Sequence, residues 1–412
     1  MHDDKSLYVA YFSLPHHSNG YATRTHGLLS ALRGSNRKYV VISRPGYPFD
    51  ARSKQASLSY DEVDDVVYRR LPGPDIVRQG VEDYLQSSAN AIEAVARSHG
   101  VSIIHCASNW RIGLPSLIAA RRLGVPFIYE VRGLWELTKA SKTTRYSWKE
   151  TDQYRLDSEA ERLLFQHADH VVPITRRLGQ EVINSGASAE RITVCPNSID
   201  VSLFTDRPAD AALRAQLNLK YPITIGFVGS FAYYEGLDDL AHACRHLILQ
   251  GYRFNVLLVG DGDMSGPIKN MVTVHGLEEY FYLTGRVPFE DVPAYYSLID
   301  ICPFPRKSLE VCEIVSPLKP FEAMAMKKSV VASNVAALTE IVQHGQTGLL
   351  FEKGNYLDLA AKLKDLIENE TLRKQLGEQA RAWVTAERTW LKAADILNQI
   401  HWDVVGRNSR AA

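Results

Sequence analysis

Two series of short apolar runs, each alternating with amphipathic stretches, divide this chain. Each series has the rhythm of a parallel sheet covered by helices. In the first, strands are predicted at Leu7 to Phe12, Tyr39 to Ser43, Ile103 to Cys106, Phe127 to Val131 and His170 to Ile174. Helices are predicted at Ala22 to Leu32, where Leu28, Leu29 and Leu32 share a face, at Pro115 to Leu123 and at Tyr154 to His167. Leu134 to Asp152 is polar, aromatic and irregular, and reads as loop. The second series has strands Ile223 to Gly229, Phe254 to Gly260, Phe281 to Thr284, Ile299 to Pro303 and Val330 to Ala332. Its helices are Leu237 to Leu249, Val292 to Leu298, Leu357 to Leu366, Leu372 to Ala386 and, last, Trp390 to Trp402.

At 412 residues the chain exceeds what one hydrophobic core serves, which agrees with two domains. Lys plus Arg and Asp plus Glu both total 47, so no global field favours nucleic acid as a partner. Five scattered cysteines suit a reducing compartment better than a disulfide framework. No run approaches the roughly 18 apolar residues that span a bilayer. The opening MHDDKSLYVAYF is acidic and enters a strand, unlike a signal peptide. The expectation is a cytoplasmic protein, with peripheral contact at the inner membrane face left open.

Candidate chemistry concentrates in ICPFPRKSLEVCEIVSPLKPFEAMAM, Ile301 to Met326. Arg306 and Lys307 follow a strand, Ser316 offers a hydroxyl N-cap, and Pro317 suits a first helical position. Lys319 then falls in the first turn and Glu322 one turn on. A helix start with an added cation suits a phosphate, and a carboxylate set back from it suits a pair of sugar hydroxyls. Together they suggest a sugar attached to a diphosphate.

SPLKPFEAMA, followed by KKSVVASNVAALTEIVQHGQTGLLF, resembles the donor-binding segment of glycosyltransferase family 4. The likeness extends from about Tyr8 to about Phe351 and is strongest in the second half. It implies an α/β chain of GT-B fold, two Rossmann-like parallel-sheet domains facing across a cleft. An acceptor-side domain would span 1–200, with the helix at 390–402 packing back on it, and a donor domain 201–389. The implied activity is transfer of a sugar from a nucleoside-diphosphate sugar to a hydroxyl of a glycan or lipid-linked acceptor, with retention and without a metal or other cofactor. Glu322 would hold the ribose, and Lys319, Ser316 and neighbouring groups the diphosphate. The backbone of Val287, in GRVP, would read the nucleobase, and Gly229 would keep the floor of the site open.

The chain also departs from the family. Relatives often carry a Glu eight positions before Glu322; here it is Ile314, with Glu310 and Glu313 as substitutes and Glu313 preferred. Ser230 and Glu235, in FVGSFAYYEGLDDL, stand where many relatives have a cation pair. Arg306, Lys307 and Lys319 are the natural replacements, unless the first two are surface charges. Arg132, in YEVRGLWE, replaces a frequent His. It either orients donor sugar and leaving phosphate or pairs with Glu130 or Glu136 to shape the loop; an Arg stays protonated and is no base. In PHHSNGYATRT, Gly20 and Arg24 face the donor diphosphate or the acceptor, or Gly20 is a plain turn residue. Asp261 to Asp263 mimics a metal motif but reads better as a strand-to-loop turn. KASKTTRYSWK, Lys139 to Lys149, is either a solvated loop or a contact for an anionic membrane or lipid diphosphate. Two rival functions remain, a sugar-nucleotide epimerase or hydrolase of the same fold and a non-catalytic nucleotide-sugar-binding protein.

Overall fold

The structure, a computed structural model, describes residues 5–35, 37–48, 59–75, 78–141 and 147–411, with side chains to 407. Two compact units divide the chain, Met1–Asn197 with Trp390–Ala412, and Ser198–Thr389. Unit one holds β1 (Lys5–Ala10), β2 (Lys38–Ser43), β3 (Tyr60–Val63), β4 (Val66–Arg69), β5 (Ile103–Ala107), β6 (Phe127–Val131) and β7 (His170–Pro173). Their order is β3-β4-β2-β1-β5-β6-β7, parallel except where β3 and β4 pair antiparallel. Unit two holds β8 (Thr224–Val228), β9 (Asn255–Val259), β10 (Phe281–Gly285), β11 (Ile301–Phe304), β12 (Ser329–Ser333) and β13 (Leu349–Phe351), in order β10-β9-β8-β11-β12-β13 and parallel throughout. Both sheets reverse direction of growth beside their first strand, at β1/β5 and at β8/β11. In open α/β sheets ligands bind outside the carboxyl ends of the strands at such a switch point.

The long unbroken apolar runs form the central strands because helices cover both sheet faces; β5, β6, β8 and β9 are buried at every position. Helix Leu237–Leu249 buries Leu237, Leu240, Cys244 and Leu247 on one face, as its 3.6-residue period requires. Helix Trp390–Ala411 belongs to unit one and lies against helix Gly20–Leu32. A Cβ at Gly27 would fall 2.4 Å from the Trp390 ring, so only glycine admits this tryptophan.

Several elements escaped the hydrophobic pattern. Helix Val81–His99 buries mostly small or polar residues, Tyr84, Ser88, Ala89, Ile92 and Ala96, which leaves its apolar stripe faint. The β3–β4 hairpin turns on Asp64 and Asp65, both at positive φ (46° and 61°), which two-residue hairpins require and aspartate tolerates. The stretch expected as irregular contains helix Trp135–Ala140. Helix Trp110–Leu123 starts five residues before the expected Pro115, because the Asn109 side chain caps it by accepting from the Arg111 N–H at 2.9 Å. Residues 142–146 of KASKTTRYSWK lie outside the described residues. No helix among those described is long and apolar enough to cross a membrane.

Candidate active site

At the end of β8 the chain turns through Gly229, at φ +141°, a conformation open to glycine alone. A Cβ there would lie 2.1 Å from Lys319 Cε, so the lysine stem lies directly across this glycine. Lys319 begins helix Lys319–Ala325, which follows β11 and helix Glu310–Ile314. Its Nζ stands 4.9 Å over the Phe227 ring and 2.8 Å from Glu235 Oε1. Glu235 comes from the turn Tyr233–Glu235, closed by Gly236, where a Cβ would meet Pro305 O at 1.9 Å. Burial pushes the Glu235 carboxyl up, but Lys319 and Arg306 outweigh it and hold it below the usual carboxylate range. This ionised, buried glutamate had read in the sequence as nothing more than a missing cation.

The other cations enlisted from the sequence are paired within unit two. Arg306 is buried over the Tyr234 ring, donates from Nη1 to Val315 O at 2.6 Å, and has Nε 3.8 Å from Glu235 Oε2. Lys307 Nζ lies 2.8 Å from Asp238 and 3.2 Å from Asp239. Thus three cations face three carboxylates beside the β8/β11 switch point. Asp261, in the DGD turn, accepts from the Gly262 N–H and the Ser265 hydroxyl, at 2.8 and 2.6 Å. Among the described residues no cluster of three His, Cys, Asp or Glu is placed to hold a metal ion.

The key helix starts later than its sequence pattern indicates. Leu318 is its N-cap, without a side-chain cap bond, and Pro320 rather than Pro317 occupies the first turn. Ser316 is buried ahead of the helix, its Oγ 3.5 Å from Pro317 O. Glu322 follows one turn in, and buried Tyr296 donates to its Oε2 at 3.0 Å. Burial pushes the Glu322 carboxyl up, against the opposing pull of the Tyr296 hydrogen bond and Lys319. Glu313 accepts from the Ala336 N–H at 2.7 Å and pairs with Lys353 at 2.6 Å, so it ties three segments of unit two together. Glu310 is exposed and Ile314 is buried in the core. Val287 is half-buried just beyond Gly285, which ends β10 at φ +73°.

In unit one, Arg24 and Arg132 converge on Glu130 instead of standing open. Glu130 takes Arg24 Nε at 2.6 Å on Oε1, Arg132 at 3.1 Å on both oxygens, and the Tyr8 hydroxyl at 2.7 Å. Arg24 also donates to the Cys195 and Pro196 carbonyls and to Asn197 Oδ1. Arg132 uses its remaining donors on Tyr21 O, Thr25 Oγ1 and the Tyr8 hydroxyl. Of the alternatives for Arg132, the contact formed is the salt bridge to Glu130. Both guanidinium groups point into the protein, and the hydrogen bonds they make end on protein atoms. Burial pushes Glu130 up, and the two arginines override it and hold it well below the carboxylate range. Behind it, His105 Nδ1 lies 2.9 Å from His401 Nε2, a buried pair that no local motif announced. Gly20 is exposed at the first turn of helix Gly20–Leu32, where the Asn19 side chain accepts from the Ala22 N–H at 3.0 Å. Lys139 is held by Asp157 at 2.9 Å and lies over Trp148.

Comparison with known proteins agrees with this architecture. The family profile described as Glycosyl transferases group 1 matches residues 210–383, and that described as Glycosyl transferase 4-like domain matches 19–198. An uncharacterised glycosyltransferase of Methanocaldococcus jannaschii is 26% identical over 79% of this chain and 83% of its own. Among solved structures, the sucrose-phosphate synthase of Thermosynechococcus elongatus superposes with a TM-score of 0.79 at 20% identity, covering 98% of this chain and 100% of its own. HepE of Anabaena, in complex with UDP, gives 0.75 at 18% identity over 96% and 98% of the two chains. With one profile on each unit and the sheet orders described above, the chain belongs to the GT-B glycosyltransferases of family 4 type, and it is a glycosyltransferase enzyme.

Proposed function

We infer that the enzyme moves a sugar from a nucleoside-diphosphate sugar to a hydroxyl of a glycan or lipid-linked acceptor, with retention of configuration. One observation carries the donor half of this reading: Lys319 lies across Gly229 at the carboxyl ends of β8 and β11, with 16% of its side chain exposed. A cation over bare backbone at a switch point is where a diphosphate gains both charge and close approach. Glu322, with one carboxylate oxygen taken by Tyr296, has the other for a ribose hydroxyl. UDP bound to a protein of the same fold supports the choice of ligand class.

In this reaction the bond from the anomeric carbon to the diphosphate breaks as the acceptor oxygen bonds on the same face. The acceptor proton passes to an oxygen of the leaving diphosphate. Charge grows on that leaving group, so the protein contributes mainly electrostatics, through Lys319. Arg306 is buried behind Lys319 and acts at longer range. No nucleophilic carboxylate is needed, and Glu313, bonded to Lys353 and Ala336, supplies none.

A thermal-shift screen of UDP-, GDP-, ADP- and dTDP-sugars finds the donor as the one that raises the unfolding midpoint. Glu322→Gln then weakens that donor's binding. Unaltered affinity would remove Glu322 from the ribose site. Proton NMR of the product's anomeric signal tests retention, and inversion sinks that part of the reading. Release of sugar from donor alone, at the same rate as with acceptors, would make the enzyme a hydrolase.

A further inference from the structure

The most unusual group in the candidate site is an anion. Glu235 sits where a diphosphate site gains nothing from negative charge, with its side chain 4% exposed. It is not carried on a loose loop. Gly236 packs against the Pro305 carbonyl so closely that any Cβ would strike it, which locks the Glu235 turn to the segment bearing Arg306. Oε1 meets Lys319 Nζ at 2.8 Å, while Oε2 lies 3.8 Å from Arg306 Nε and accepts no hydrogen bond. A buried carboxylate is costly and persists only where cations compensate it. Here the compensating cations are the ones the donor site needs for itself.

We propose that Glu235 is the positioning residue and counter-ion of Lys319, and that it sets how tightly the site holds the departing nucleoside diphosphate. The proposal rests on the donor reading above. Glu235 aims the lysine across Gly229, and it removes one unit of positive charge from the place where the diphosphate binds. A nucleoside diphosphate with a free terminal phosphate carries about three negative charges near neutral pH, and its sugar ester two. Each unit of positive charge in the site therefore favours product over donor. With Glu235 ionised, Lys319 and Arg306 together present one net charge, and the product leaves instead of blocking the next turnover. Asp238 and Asp239, bonded to Lys307, act in the same sense.

Glu235→Gln keeps the shape of the side chain and removes its charge. Isothermal titration with UDP, GDP, ADP and dTDP and their glucose or mannose esters, alongside steady-state kinetics, reads the effect. The expected result is about tenfold tighter binding of the matching nucleoside diphosphate, with a smaller gain for its sugar ester. Turnover falls as product release becomes limiting, and KM for the donor falls with it. A purely structural Glu235 lowers the unfolding midpoint and leaves the diphosphate-to-ester affinity ratio at its wild-type value; that outcome overturns the proposal, as does weaker binding of both. The wild type offers a second test that does not depend on the variant folding. Its affinities for diphosphate and ester should agree within about tenfold, and a diphosphate bound more than about a hundredfold tighter overturns the proposal. A wild type that binds none of these nucleotides overturns the donor reading, and the proposal with it. Donor binding with an unchanged ratio in Glu235→Gln overturns the proposal alone.

Discussion

Each unit of this enzyme sets two cations around one buried glutamate, and the two clusters are finished differently. In unit one, Arg24 and Arg132 enclose Glu130, whose side chain is 0% exposed, and their hydrogen bonds end on protein atoms. In unit two, Lys319 and Arg306 enclose Glu235, yet Lys319 makes one ion pair and reaches the surface across a glycine. Charge type alone does not distinguish the two clusters. Donors already engaged and access to solvent separate them: the first cluster is closed by its own hydrogen bonds, and the second keeps an ammonium that a ligand can reach.

The sharpest way to break this contrast is to remove the central carboxylate of unit one. Glu130→Ala leaves two buried guanidinium groups unpaired and should cost about 3–5 kcal/mol in chemical denaturation, with donor affinity unchanged in the molecules that remain folded. A change in nucleotide affinity with normal stability would falsify the structural assignment of Arg24 and Arg132. Next in size is Lys319→Ala, which should lower kcat/KM by about 10²–10³-fold, the range for losing one group that stabilises developing charge. Far-UV circular dichroism should show the fold retained. Full activity in that variant excludes Lys319 from the mechanism.

A pH series sharpens the contrast within unit one. His105 and His401 are held below the ordinary histidine value, chiefly because burial disfavours their charged forms. Below about pH 6.5 the unfolded chain takes up protons that the folded pair refuses. Their contribution to stability is therefore complete above that pH and declines as pH falls toward the folded values. Glu161, pushed up to about 8 by burial and by Glu136, acts with the opposite sign, so the effect is read as a difference between two proteins. Wild type should lose stability more steeply than His401→Phe between pH 7.5 and 5 in urea unfolding, and parallel slopes would refute the histidine account. The smallest effect belongs to Tyr296→Phe. It frees one oxygen of Glu322 and should raise KM for the donor about three- to tenfold with kcat little changed, the loss of one hydrogen bond to a carboxylate. An unchanged KM dissociates Tyr296 from the site.

Much of the fold could be read from the chain because buried strands of a parallel sheet are nearly continuous apolar runs. Phe127–Val131 and helix Leu237–Leu249 were predicted to the residue. Elements whose buried faces are small or polar, such as helix Val81–His99, gave too weak a signal. At the candidate site, Lys319 and Glu322 stand out because a proline-flanked lysine and glutamate one turn apart are a local pattern, whereas Gly229 enters through the family resemblance. Glu235 does not stand out, since its meaning depends on a lysine 84 residues away.

What this sequence settles unaided is what depends on neighbours along the chain: the alternation that makes two parallel sheets, the family likeness, and the lysine–glutamate spacing at the key helix. Tertiary structure alone decided which charges are shared. Arg24, Arg132 and Lys319 are equally cationic on paper, and only folding buried the first two against Glu130 and left the third partly exposed beside Glu235. The physical reason is that electrostatic energy depends on distance and dielectric, and both are set by folding.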